Sequence, residues 1–356
     1  MKNLIKGRGS QFNLPNRFEK IILEDISNEL DEYFDMEEFS KKIQTVYFND
    51  ESGSVLVKNN SPDLGAGYSI NPYRGCEHGC IYCYARPTHE YLGFSSGLDF
   101  ESKIMIKRDA PEILKKDFSK KSWKPQTVFF SGNTDCYQPV EKKLEITRKC
   151  LEVFLQFRNP VAVITKNALV KRDAEILKKL ADLNLVKVII SITTLNSELQ
   201  RKMEPRTSSP ELRLKTIKFL SDSGIPAGVN VAPIIPGLTD EEIPAILKEA
   251  SLHGAQFAGR VILRLPFSTK ELFTDWLCRE FPDRANKILN RITELHGGKL
   301  YNSEFGKRLT GEGKWAEMIQ KIFDFNCSRL GLNVNKVPLT SELFNRNSDD
   351  QKSLFD

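Results

Sequence analysis

Over residues 68–265, short runs of β-branched and aromatic residues alternate with stretches whose apolar residues recur every three or four positions. That alternation constrains the fold more than any other feature of the chain. Strands separated by helices return in the same direction, so the sheet they build is parallel and its connections are helical crossovers. Strands are expected at about 68–73, at QTVFF (126–130), VAVIT (161–165), VKVIIS (186–191), PAGVNVA (226–232) and GRVILRL (259–265). Helices are expected near 140–157, 171–182, 209–222 and 240–253. Six such units fall short of the eight of a closed (β/α)8 barrel. After residue 265 the pattern is helical only, with ELFTDWLCREF, PDRANKILNRITELHGG and GKWAEMIQKIFDFNCSRLG in turn. The expected organisation is a partly ordered lead-in over 1–53, a βα region over 54–265, a helical extension over 266–340 and a frayed tail over 341–356.

With 28% charged and 40% apolar residues spread evenly, no run approaches a membrane span, and the start MKNLIKGRGSQFNLPNRFEK lacks the apolar core of an export signal. A cytoplasmic protein is the expectation. Seven cysteines, an odd number, argue against a disulfide framework and for metal or redox chemistry. The net charge of +5 does not demand a nucleic-acid partner, although 102–124 carries eight Lys/Arg against three acids. A solvated helix face is the plainer reading of that segment, and a phosphate-contacting patch is the sharper one. GRGSQFN (7–13) lacks the lysine and the strand–helix context of a phosphate loop.

The chemistry is concentrated in GCEHGCIYCYARP (75–87), where Cys76, Cys80 and Cys83 follow a C-x₃-C-x₂-C spacing. Three thiolates converge on one centre only if the chain turns tightly, and Gly75 and Gly79 permit such turns. One alternative is a zinc site completed by His78, His89 or Cys136, although no second cysteine knuckle is present. The other is an iron–sulfur cluster held by three cysteines with one iron left open for a ligand to bind and react.

The spacing, with Tyr82 before the last cysteine, resembles the signature of the radical S-adenosylmethionine superfamily. Its position after a first strand and ahead of βα repeats is similar to that family's partial (β/α)6 TIM-like barrel. SINPYRGCEHGCIYCYARPTHEYLG, SGNTDCYQPVE, EPRTSSPELRL and APIIPGLTDEE resemble more narrowly the spore photoproduct lyase-like branch, over about 54–340. The resemblance implies a 4Fe-4S cluster on Cys76, Cys80 and Cys83. Its open iron chelates S-adenosyl-L-methionine, and reductive cleavage of that cofactor gives a 5′-deoxyadenosyl radical. It also implies a cluster potential near roughly −400 mV or below and a low-potential electron donor such as a flavodoxin or ferredoxin.

Carried over position by position, the resemblance sets Tyr82 near the adenine and Gly132, Asn133 and Asp135 near the cofactor's amino group. Lys166 falls at its carboxylate, and Ser191, with Thr193 as understudy, at a polar contact on the fourth strand. Glu204 and Arg206 lie on the loop after that strand, either closing over the cofactor or pairing with each other. The branch's hydrogen-donating cysteine has no counterpart near Gly132 and Asn133. Cys136 is a weak candidate for that catalytic role from a shifted position, and a merely tolerated thiol is the plainer reading. Cys150, Cys278 and Cys327 lie in amphipathic helical patterns and are expected as buried structural thiols. The substrate is left unnamed, with nucleic acid and a non-catalytic metal protein as the rival readings.

Overall fold

The computed structural model describes residues 5–18, 43–63, 65, 67–334 and 338–346. Ten strands are described: β1 (Val46–Asn49), β2 (Leu56–Lys58), β3 (Tyr68–Ile70), β4 (Tyr73–Arg74), β5 (Lys103–Ile106), β6 (Val128–Phe130), β7 (Val161–Thr165), β8 (Val186–Ile192), β9 (Ala227–Ile234) and β10 (Phe257–Ile262). The principal sheet runs β10-β9-β8-β7-β6-β3-β2, parallel from β3 to β10, with β2 antiparallel on its edge. The six expected parallel strands are therefore present, and the chain is an α/β partial barrel. The period of two decides the layers. Val186, Val188, Ile190 and Ile192 of β8 join Val161 and Val163 of β7 in a core that faces the helices. Lys187, Ile189 and Ser191 are left on the concave face.

The helices are α1 (Leu98–Ser102), α2 (Ala110–Ser119), α3 (Glu141–Leu144), α4 (Ile146–Phe157), α5 (Ala174–Asp182), α6 (Ser197–Met203), α7 (Pro210–Asp222), α8 (Ile243–Leu252), α9 (Thr269–Glu280), α10 (Ala285–Leu295) and α11 (Gly313–Arg329). Local sequence sets their starts: Asn196 caps α6 through the amides of Glu198 and Leu199, and Ser209 caps α7 ahead of Pro210. The single helix expected over 140–157 is broken at Glu145, whose φ of 53° separates α3 from α4.

Two features depart from the expected organisation. A second sheet, β1-β5-β4, joins the end of the lead-in to the segment after the cysteines; its strands are too short to show a period. Within the basic 102–124 segment this sheet and α2 bury Lys107, while Lys103 lies 4.7 Å from the centre of the Phe94 ring and Lys120 pairs with Asp117. The helical extension also divides in two. Leu272, Phe273, Trp276 and Leu277 of α9, with Ala285, Ile288 and Ile292 of α10, pack with Cys80, Ile81 and Tyr82, whereas α11 packs on α8 as a sixth barrel helix.

The expected frayed tail starts later than residue 341. Thr340 N donates to Asn184 O at 3.1 Å and Asn345 N to Phe157 O at 2.9 Å, while the Phe344 ring packs near Phe118 and Phe157. The remainder, 347–356, lies outside the described residues. Cys278 is also corrected: α9 buries Phe273, Trp276 and Leu277, which turns Cys278 outward to an exposed position, while Cys150 and Cys327 are buried.

Candidate functional site

The cysteine loop leaves β4 through Gly75 (φ 76°) and turns again at Gly79 (φ 66°), both left-handed positions that favour glycine. Cys76 N donates to Phe100 O at 2.9 Å and Ile81 N to Met203 O at 3.0 Å, so the loop is held from both sides. Its main organiser is Arg86, fully buried. The guanidinium donates to the carbonyls of Cys80 (3.0 Å), Ser96 (3.1 Å), Gly97 (3.0 Å) and Gly79 (3.3 Å) and pairs with the Glu101 carboxylate. That carboxylate also accepts the amides of Gly9 (2.9 Å) and Ser10 (2.8 Å), so the GRGS segment lies as a strap over the loop. On the other flank Gln138 accepts from Glu77 N at 2.9 Å and donates to Gly75 O at 3.3 Å.

At the strand ends, a buried polar network surrounds Tyr82. Its hydroxyl donates to Glu204, which also accepts from Thr193 Oγ1 at 2.6 Å and pairs with Arg213; Lys166 Nζ is 3.8 Å away. Burial opposes ionisation of Glu204, but Arg213 and Lys166 outweigh it and hold its carboxyl at about 2. Lys166 Nζ donates to Ala232 O at 3.1 Å, 5.8 Å from the centre of the Tyr82 ring. The anionic partner that a lysine leaving an apolar strand requires is thus already present as Glu204. Arg206 does not pair with Glu204; it lies 3.5 Å from Glu77, behind the cysteine loop.

In the loop after β6, Gly132 O accepts from the Tyr84 hydroxyl, and Asn133 N donates to Asn71 Oδ1 at 3.0 Å. Asp135 accepts from Thr165 Oγ1 (2.7 Å), Tyr137 N (2.9 Å) and Lys166 N (2.8 Å), and lies 3.4 Å from His78. Burial raises its pKa, yet His78 and these donors bring it to about 2. Asp135 therefore positions the end of β7 and His78. The structure places the weak candidate Cys136 with its amide donating to Ser131 Oγ and its side chain fully buried in the main core.

Residues 70–250 match the family model described as the radical SAM superfamily. An uncharacterized protein of Mycobacterium tuberculosis is 34% identical over 239 residues, 67% of this chain and 69% of its own. The chain belongs to the radical SAM superfamily. A radical SAM Nalpha-GlyT isomerase of Pseudomonas phage M6 is 23% identical over 253 residues, 70% of this chain and 50% of that one. Among solved structures, spore photoproduct lyase complexed with dinucleoside spore photoproduct superposes with a TM-score of 0.59 at 16% identity, over 80% of each chain. A double mutant of that lyase, with AdoMet and dinucleoside spore photoproduct bound, gives the same TM-score, 0.59.

The donor set, three thiols on one loop, fits the cluster of a radical SAM protein. Cys76 and Cys80 are buried and Cys83 partly exposed. Burial, Glu204 and the other two thiols push the Cys80 thiol well above its usual value, and burial with Cys76 pushes Cys83 up to about 11. These shifts keep the thiols protonated, and a cationic centre would be needed to hold them together as thiolates. Among the described residues, no three histidine, cysteine or carboxylate side chains converge on one metal ion. A cubane takes each thiolate on a separate iron, so its ligands need not meet at a point. Of the zinc candidates, His78 has its ring nitrogens against Asp135 and Asn167 (3.1 Å), and His89 is packed beside Phe94 and Phe100.

The structure thus brings Tyr82, Lys166, Thr193 and Glu204 together and sets Ser191 on the concave face, in register with Asn230. Arg206 and Cys136 lie apart from that group. Sequence reasoning missed Arg86, Glu101, Gln138 and Arg213, which look like surface residues until their partners are known. The motif's own signal for Arg86 was its place three residues after Cys83.

Proposed function

We propose that this chain is a radical SAM enzyme in which Cys76, Cys80 and Cys83 hold a 4Fe-4S cluster and the concave face receives S-adenosyl-L-methionine and the substrate. The observation that carries the reading is three thiols on one braced loop, near enough to raise one another's pKa, with Cys80 and Cys83 beside Tyr82 and its Glu204–Lys166 partners at the strand ends. When bound, the cluster supplies the electron that cleaves the sulfonium to methionine and a 5′-deoxyadenosyl radical, which takes hydrogen from the substrate.

The chain's own residues bind and orient. Tyr82 offers its ring to the adenine while Glu204 fixes the hydroxyl. Lys166, its charge shared with Glu204, meets the cofactor carboxylate. Gly132 and Asn133, held by Tyr84 and Asn71, face the amino group, and Ser191 contributes a hydroxyl from β8. A low-potential donor, a flavodoxin or ferredoxin, completes the system, and seven free cysteines suit the reducing cytoplasm.

A nucleobase-bearing substrate is the second reading. The Arg264 guanidinium lies 4.5 Å from the centre of the Tyr84 ring, a stacked pair beside the last cysteine that suits a flat heterocycle. Anaerobic reconstitution tests the main proposal. Iron and sulfide should bind, dithionite should release 5′-deoxyadenosine, and Cys80→Ala should abolish both. A protein that takes up zinc alone, or turns over no S-adenosyl-L-methionine, overturns it.

A further inference from the structure

Beside the strap lies a cleft of about 310 Å³ lined by Lys6, Arg8, Arg201, Lys202, Arg279 and Glu280, five cations against one carboxylate, with Trp276 also in its wall. Some of that charge is answered locally. Lys202 lies 3.4 Å from both Glu198 and Glu280, Arg279 pairs with Asp275 at 2.7 Å, and Arg8 donates to the carbonyls of Glu101 and Ile43. Lys6 and Arg201 are exposed and have no ion-pair partner among the described residues.

The cleft reaches the cysteine loop through two of its lining residues, Gly9 and Trp276. Its walls come from the strap, α6, Pro205 and α9, and none of them is a residue of the concave face. Gly9 packs so tightly on the loop that a β-carbon there would sit 1.9 Å from the carbonyl oxygen of Gly79, the residue before Cys80. Trp276 belongs to the same apolar cluster as Cys80, Ile81 and Met203, and its Nε1 donates to Lys202 O at 3.1 Å.

We infer that this cleft is the docking face for an acidic one-electron carrier that reduces the cluster, an inference that rests on the function proposed above. Reduction adds negative charge, so a carrier that must hold an electron at low potential is helped by acidic groups around its cofactor. A basic face beside the cluster loop complements such a partner and steers its approach. The carrier's reduced cofactor gives up one electron and is oxidised; the cluster gains that electron, passing from the 2+ to the 1+ state. No proton or group is transferred.

The test uses the full chain and a bacterial flavodoxin. Binding of oxidised flavodoxin is measured by calorimetry on cluster-free and reconstituted protein, so the readout stands apart from turnover. Affinity is expected to fall at least ~10-fold between about 50 and about 300 mM salt. The Lys6→Glu/Arg201→Glu double variant should lose a similar ~10-fold, with Lys6→Ala/Arg201→Ala between the two. Flavodoxin-driven 5′-deoxyadenosine release should drop in parallel, while release driven by photoreduced deazaflavin is unchanged. Equal flavodoxin binding by wild type and double variant overturns the inference. So does a double variant that keeps flavodoxin but loses DNA, which makes the face a nucleic-acid surface. Failure of 5′-deoxyadenosine release in wild type under the chemical reductant counts instead against the proposed function.

Discussion

Arg86 and Glu101 show how much of a metal loop rests on residues that touch no metal. Both are fully buried, and the pair joins the loop, α1 and the strap. Truncating Arg86→Ala leaves a buried carboxylate without its cation, a loss of about 3–5 kcal/mol that urea unfolding of the cluster-free protein measures. His89 contributes one limb of the pH dependence. Burial holds its imidazole down to about 4, with the Asp99 charge opposing only in part. The folded value lies below the ordinary 6.5, so the unfolded chain takes up the proton first. The stability from keeping His89 neutral is complete above about pH 6.5 and is lost as pH falls toward about 4, roughly 3 kcal/mol in all. His89→Phe, between Phe94 and Phe100, should flatten that limb of a stability-against-pH curve; an unchanged slope would assign it to other groups. The three cysteines were legible because their spacing is local. Glu204 and Arg213, or Arg86 and Glu101, were not, because a pair separated by a turn or a helix leaves no periodic trace in one sequence.

Elements differ in how plainly they are written. β8 is long enough for alternation to declare a buried and a concave face, whereas β4, two residues long, exists because it pairs with β5. The strap is the extreme case. GRGSQFN has no periodicity, and the Gly9 contact with Gly79 becomes visible only once both are placed. Its role makes a prediction at this scale. Gly9→Val puts side-chain atoms into the Gly79 carbonyl, so the strap should lift. Limited proteolysis within 5–18 should quicken, and the reconstituted cluster should bleach faster in air than in wild type. Gly53→Ala, where a β-carbon meets nothing within 4 Å, serves as the neutral comparison. Protection of the strap in Gly9→Val would show that it is anchored by Arg8 and Asn16 instead, through Glu101 O and Glu90 O.

A sheet of six parallel strands with one antiparallel edge does not close by strand pairing, so the molecule joins its edges by other means. Ile262 N at the end of β10 donates to Leu309 O at 2.9 Å, and the segment carrying Leu309 reaches back to the residues after β2. There Asp63 accepts from Gly306 N at 2.7 Å and from Arg308 Nε at 2.6 Å. The latch is one carboxylate gripped by an amide and a guanidinium near the surface. Arg308→Ala should therefore loosen this contact rather than the core, an effect that added salt would mimic in part. Because the latch touches only the two edges, its loss should be local: hydrogen exchange should quicken over 56–63 and 257–262 while β7 and β8 keep their protection. The Tyr82–Glu204 group, anchored by Arg213 of α7 and by Thr193 just after β8, should stay protected as well. Loss of protection in β7 and β8 together with the edges would mean that closure of the gap props the entire barrel, and the site would then depend on a contact made by the chain's last third.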